Sequence, residues 1–169
     1  MYYKRFKETD IGSFNRLPKH IKLKRTGEGG FRLKRKRLKS KSPLVSIITV
    51  TFNSEKYLED TIKSIQNLSI KNFEHIIIDG GSKDNTLKII RKYSKKISYW
   101  VSETDRGIYD AFNKGLLVAK GKYIGFVNSD DLLTKKSLFI LSKYIKKFPD
   151  LDFFFGSVKK HWAIRHGYE

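Results

Sequence analysis

Beyond Pro43 the chain alternates between two hydrophobic periods. Residues 44–52 (LVSIITVTF) are nearly continuous in apolar and β-branched side chains, as expected of a strand covered on both faces. Tyr57, Leu58, Ile62, Ile65 and Leu68 then recur at helical spacing, which predicts an amphipathic helix over 55–67. FEHIIIDGGS repeats the buried-strand pattern and ends in a glycine turn. Asp84 is placed to cap a helix running to Tyr93, with Leu87, Ile90 and Tyr93 on one face. ISYWVSE predicts a third strand, 108–119 a helix with Phe112, Leu116 and Ala119 inward, and KYIGFVNSDD a fourth strand. Leu138, Leu141, Ile145 and Phe148 mark a last helix closed by Pro149, and DFFFGSV a fifth strand.

Strands alternating with helices predict an α/β fold, a mostly parallel sheet with helices on both faces. Such sheets bind ligands at the carboxyl ends of their strands. Polar groups gather there: Asn53 after the first strand, Asp79 at the end of the second, Glu103 and Asp105 after the third, and Asp130 and Asp131 at the end of the fourth.

Composition changes the picture mainly before Pro43. Of the formal charge of +19 over 169 residues, residues 1–43 hold +12, with 15 Lys/Arg against 3 Asp/Glu. This stretch has no sustained period, so 1–43 is expected to be a flexible basic extension and 44–169 the folded domain. Its charge serves either solvation or adhesion to an anionic membrane; aromatics are sparse within it, which argues against nucleic acid. With no cysteine there is no disulfide framework and no thiolate nucleophile or ligand. No membrane-length apolar run and no signal-like leader are present. A cytoplasmic location follows as the expectation, with the tail able to reach the inner face of a membrane.

Two nucleotide motifs are excluded. The junction after the first strand, TFNSEKY, holds no glycine and so no dinucleotide fingerprint, and GLLVAKGKY fails the spacing of a P-loop. What remains is an acidic rim on a basic protein. Adjacent carboxylates at Asp130 and Asp131 suit a hard divalent cation that shares its remaining sites with substrate phosphates; the alternative is that one of them caps the following helix. Asp79 likewise has two readings. It either bonds the amides of the turn after it or accepts from a nucleobase edge that the side-chain-free Gly80 and Gly81 let approach.

Three segments in order, VSIITVTFNSEKYLEDTIKSI, FEHIIIDGGSKDNT and ETDRGIYDAFNKGLLVAKGKYIGFVNSDD, resemble the nucleotide-sugar-binding half of a family 2 glycosyltransferase of the GT-A fold, over 43–156. GIYDAFNKG is similar to the branch that contains many polysaccharide-building enzymes, colanic-acid types among them. The resemblance implies that Thr51, Phe52 and Asn53, with Glu55 just after, border the nucleobase, and that Asp79 accepts from it. Gly80 stands where DDGS has its second Asp. Arg106 and Asn113 would lie along the diphosphate and sugar, although Arg106 also reads as a plain surface arginine. Asp130 and Asp131 would hold Mg²⁺ or Mn²⁺. The implied donor is a nucleoside-diphosphate sugar, typically UDP-linked, and the acceptor a saccharide or lipid-linked glycan.

Inverting transfer needs a base to take the acceptor's proton. After Asp152 only Glu169 is acidic, and His161 and His166 read as strand edge and loop. The acceptor half is therefore expected to lie outside this chain, as in a fragment of a longer enzyme or a shortened relative. The competing class is a catalytically incomplete binding module held by its basic tail on an anionic membrane or nucleic acid.

Overall fold

The computed structural model describes residues 11–18, 24–34 and 42–159. Its elements run β1 (Arg25–Gly29), α1 (Phe31–Lys34), β2 (Val45–Thr51), α2 (Leu58–Gln66), β3 (Phe73–Asp79), α3 (Thr86–Tyr93), β4 (Tyr99–Glu103), α4 (Ile108–Val118), β5 (Tyr123–Phe126) and α5 (Ser137–Lys147). They form one sheet of order β1-β4-β3-β2-β5, parallel except for β1.

β2 has both neighbours and is buried at all seven positions, which accounts for its unbroken apolar sequence. Ile48 and Val50 face a core shared with Ala111, Leu117 and Val118 of α4. On the other face α2 and α3 supply Leu58, Ile62 and Ile90 to a core with Ile77 and Trp100, while Ile47 packs near Ile65 and Leu138. Helices thus cover both faces, as the periodicity requires. No helix among the described residues is long and apolar enough to cross a membrane.

The structure departs from the sequence pattern in four places. First, the stretch before Pro43 is not all an extension. Leu17 is 1% exposed in the α4-side core, and β1 adds an antiparallel edge strand beside β4. Burying one leucine contributes about 1.5–3 kcal/mol. Part of the basic charge is paired against the domain: Arg32 Nη1 donates to Glu74 Oε2 at 3.0 Å, and Arg25 Nη2 lies 2.7 Å from Glu103 Oε2. The rest of that run, 1–10, 19–23 and 35–41, lies outside the described residues.

Second, no strand forms over 151–159. A strand of three phenylalanines needs cover on both faces and a ladder partner. Among the described residues it has neither, and Phe155 is 97% exposed. Third, α2 starts at Leu58, later than expected, because residues 53–55 are bonded to the start of α3 instead.

Fourth, α4 turns a different row to the sheet. Ala111, Lys114, Gly115, Leu117 and Val118 are buried, and Ala119 is buried as expected, while Phe112 and Leu116 are partly buried against the same core. Gly115 is the cause: a Cβ there would stand 2.5 Å from Ile48 Cγ2, so glycine lets the helix approach along that row.

Candidate functional site

Strand register aligns the rim. Thr51 pairs with Asp79 and Asp79 with Ser102, so the ends of β2, β3 and β4 stand in one row. Above them opens a cleft of about 620 Å³. Its walls are Val50 and Thr51 at the end of β2, Phe52 and Ser54 beyond it, Gly80 beyond β3, Asp105 and Gly107 beyond β4, Ile108 and Ala111 of α4, and Asn128 to Asp130 beyond β5. Phe52 is 61% exposed at the lip, a flat apolar surface in water. Thr51 Oγ1 is buried with no hydrogen-bond partner among the described residues, and the residue stands at the head of the cleft wall.

The turns after β2 and β3 are latched together. Asn53 has φ +50°, a left-handed conformation that asparagine tolerates better than most residues. There its N–H donates to Ser82 Oγ at 2.8 Å and its Oδ1 accepts from Lys83 N at 2.9 Å. Ser54 N donates to Thr86 Oγ1 at 2.7 Å. Glu55 N donates to Asp84 Oδ2 at 3.0 Å, while Glu55 Oε2 accepts from Asn85 N at 2.9 Å. Asp84 also takes the α3 amide of Thr86 at 2.9 Å, the capping role its position predicts. Asn53 and Glu55 therefore shape the turn, and neither lines the cleft.

Asp79 is fully buried. Its carboxylate accepts from Ser82 N and from the Ser82 hydroxyl, and from Ser102 Oγ at 2.6 Å. Of its two sequence readings, the one that bonds the turn is the one this geometry displays; contact with a base would require Ser82 to release it. Gly80 lines the cleft because Asp105 packs on it, with Asp105 Oδ2 2.7 Å from where a Cβ would stand. Burial pushes the Asp105 carboxyl above its ordinary range, opposed by a hydrogen bond from Gly107 N and by nearby Lys114.

The acidic loop after β5 is tied to α2: Ser129 Oγ is 2.8 Å from Ser54 Oγ, and Ser129 O accepts from Thr61 Oγ1 at 2.8 Å. Asp130 lines the cleft. Asp131 closes the turn, its Oδ2 accepting from Asn128 N at 3.3 Å. Both side chains are exposed. Among the described residues no group of three or more His, Cys, Asp or Glu could hold a metal ion alone. Two adjacent carboxylates fit the protein's share of a Mg²⁺ or Mn²⁺ site in which phosphates and water complete the shell.

Arg106 and Asn113 are exposed and outside the cleft lining. Arg106 follows Asp105 on the same loop, and its N–H donates to Asp110 Oδ2 at 3.2 Å. His161, His166 and Glu169 lie outside the described residues.

Sequence reasoning missed Lys114, which is 1% exposed on the inward row of α4. Its Nζ lies 3.2 Å from Glu103 Oε1 and 3.4 Å from Asp110 Oδ2, and donates to Thr104 O at 3.1 Å. The signal was present: Lys114 shares a helical row with Ala111 and Val118, and a lysine on an apolar row implies buried acids.

Residues 46–166 match the family model described as Glycosyl transferase family 2. The chain is 39% identical over 99 residues to the putative teichuronic acid biosynthesis glycosyltransferase TuaG of Bacillus subtilis, covering 57% of this chain and 39% of that protein. It is 36% identical over 121 residues to an uncharacterized glycosyltransferase of Methanocaldococcus jannaschii, covering 69% of this chain and 42% of the other. The crystal structure of S. aureus TarS 1-349 in complex with UDP-GlcNAc is similar at a TM-score of 0.58 and 30% identity, over 62% of this chain and 32% of that one. The mannosyltransferase PcManGT from Pyrobaculum calidifontis, in complex with GDP-Man and Mn²⁺, has the same fold at a TM-score of 0.57 and 22% identity, over 68% of this chain and 37% of that one. The chain thus spans about two fifths of the length of these curated relatives and about a third of TarS 1-349.

Proposed function

The chain belongs to glycosyl transferase family 2, and from that premise we propose that its cleft binds a nucleoside-diphosphate sugar, UDP-linked, whose sugar passes with inversion to a hydroxyl of a saccharide or lipid-linked acceptor. One observation carries the reading. The exposed aromatic ring of Phe52 stands at the lip of a cleft whose opposite wall is the acidic loop at Asn128 to Asp130. A ligand with a polar flat base at one end and phosphates at the other suits both. The likeness to a protein crystallised with UDP-GlcNAc points the same way.

Thr51, at the end of β2, would border the base, and Phe52 would stack on it. Asn53, Glu55 and Asp79 would hold the two turns in place without waiting for the ligand, and Gly80 would leave room for Asp105 in the cleft wall. Asp130, with Asp131 beside it, would hold Mg²⁺ or Mn²⁺ together with the diphosphate. When bound, that ion neutralises charge on the departing diphosphate. Arg106, exposed next to Asp105, would add a cation to the phosphates. The proton acceptor for the incoming hydroxyl is assigned to none of the described residues.

Thermal unfolding of the chain with UDP and MnCl₂ tests the reading. Ligand at 100 times its dissociation constant stabilises the native state by about 2.7 kcal/mol. A clear rise in Tm for the wild type, much reduced in Asp130→Asn, is expected; an unmoved wild-type Tm overturns it.

A further inference from the structure

β1 precedes the family match at 46–166, yet it abuts the rim. Its register with β4 breaks once: Arg25 faces Glu103 and Gly27 faces Ser102, which leaves Thr26 as the extra residue of a bulge. Bulges re-aim side chains. Here the bulge turns two successive residues onto the carboxyl end of β4.

Arg25 Nε donates to Glu103 Oε2 at 2.7 Å. Glu103 is 1% exposed, and its other oxygen, with no hydrogen bond of its own, lies 3.2 Å from Lys114 Nζ. Lys114 in turn holds Thr104 O at 3.1 Å and Asp110 Oδ2 at 3.4 Å, and Asp110 Oδ2 accepts from Arg106 N at 3.2 Å. Gly107 N donates to Asp105 Oδ1 at 2.9 Å. The whole loop between β4 and α4 is thereby referred to one buried lysine. Alongside, Ser102 Oγ gives its single proton to Asp79 Oδ2, so Thr26 Oγ1, 2.6 Å away, must be the donor to Ser102 Oγ.

We propose that Arg25 is a positioning residue for the cleft, fixing through Glu103 and Lys114 the loop that presents Asp105 and Arg106. The consequence for binding rests on the reading of the cleft as a nucleotide site. The argument is one of shared charge. Lys114 serves two carboxylates, Glu103 and Asp110, and can do so because Arg25 serves Glu103 as well. Without Arg25, buried Glu103 draws Lys114 to itself, Asp110 loses its cation, and Arg106 N loses a fixed acceptor. The loop then moves away from Gly80. Arginine suits the position because its fork also reaches Leu17 O and Pro18 O, each at 3.0 Å, which a single ammonium could not do.

Calorimetric binding of UDP with Mn²⁺ is compared for wild type, Arg25→Met, Arg25→Lys and, as a control, Lys92→Ala, whose ammonium is largely exposed and pairs with Glu59 on α2, away from Arg25 and Glu28. Amide hydrogen exchange is followed on the same proteins without ligand. Arg25→Met is expected to bind about tenfold more weakly, the scale on which a supporting partner behind a binding group acts. Arg25→Lys should recover part of the loss and Lys92→Ala should bind like wild type. In Arg25→Met the Gly107 amide should exchange faster while the β3 amides keep their protection. Equal affinity in Arg25→Met, or faster exchange spread evenly over β3 and the loop, overturns the proposal. A wild type that ignores UDP sinks the nucleotide reading instead, and the Gly107 comparison still decides whether Arg25 holds the loop.

Discussion

A Cβ on Gly80 would stand 2.7 Å from Asp105 Oδ2, so the two residues divide one space between the ends of β3 and β4. Gly80 stands where the resembled DDGS pattern has its second Asp, and a carboxylate arrives from the loop after β4 instead. Gly80→Ala should force Asp105 aside and cost about 1–3 kcal/mol, as overpacking does. In Asp105→Ala the same change should cost less. Urea unfolding of both single variants and the double gives the coupling, expected at about 0.5 kcal/mol or more; strict additivity would show that the two do not compete.

Asn53 combines a left-handed backbone with a side-chain bond to Lys83 N. Asn53→Gly keeps the backbone and loses the bond, about 1 kcal/mol. Asn53→Ala loses the bond and adds about 1–2 kcal/mol of backbone strain. Stability by chemical denaturation should rank wild type above Gly above Ala, and equal Gly and Ala variants would remove the strain from the account.

Burial lowers the pKa of His75 to about 3 from its ordinary 6.5. The depressed value means that the unfolded chain takes up the proton first. The contribution of neutral His75 is therefore complete above pH 6.5 and falls by about 1.4 kcal/mol per pH unit as the solution is acidified toward pH 3. His75→Gln should flatten that slope in a series of unfolding curves between pH 7.5 and 4.5. An unchanged slope would assign it to other groups.

Chelation separates the two acids of the rim loop. Mn²⁺ should tighten UDP binding to the wild type, and EDTA should abolish the gain. Asp130→Asn should remove the metal effect on UDP affinity, followed separately from the Tm of the free protein, because Asp130 lines the cleft. Asp131→Asn should lower both, since its carboxylate also closes the turn on Asn128. A metal effect that survives Asp130→Asn would move the ion elsewhere.

Much of the fold was legible because β2 to β4 are apolar runs buried on both faces and helices α2 to α5 each bury a periodic face, and both patterns are local properties. The rim acids were legible for the same reason: they interrupt such faces at strand ends. What escaped was decided by partners distant in sequence. Arg25 reads as one more charge in a basic run until Glu103, 78 positions later, stands opposite it. The inward row of α4 was misjudged because Gly115 against Ile48 outweighs the larger side chains at Phe112 and Leu116. DFFFGSV has strand composition, but nothing in the chain's composition reports whether a ladder partner exists. Asp79 carried two readings because its bond to Ser102 crosses from β3 to β4.

The antiparallel seat of β1 has one more effect. β4 is YWVSE, buried at every position, and β1 occupies its outer row of amides and carbonyls. Stripped of that strand, it would offer solvent a bare, β-prone margin of the kind along which separate molecules join into aggregates. The segment that looks dispensable by composition is therefore what covers that margin of β4.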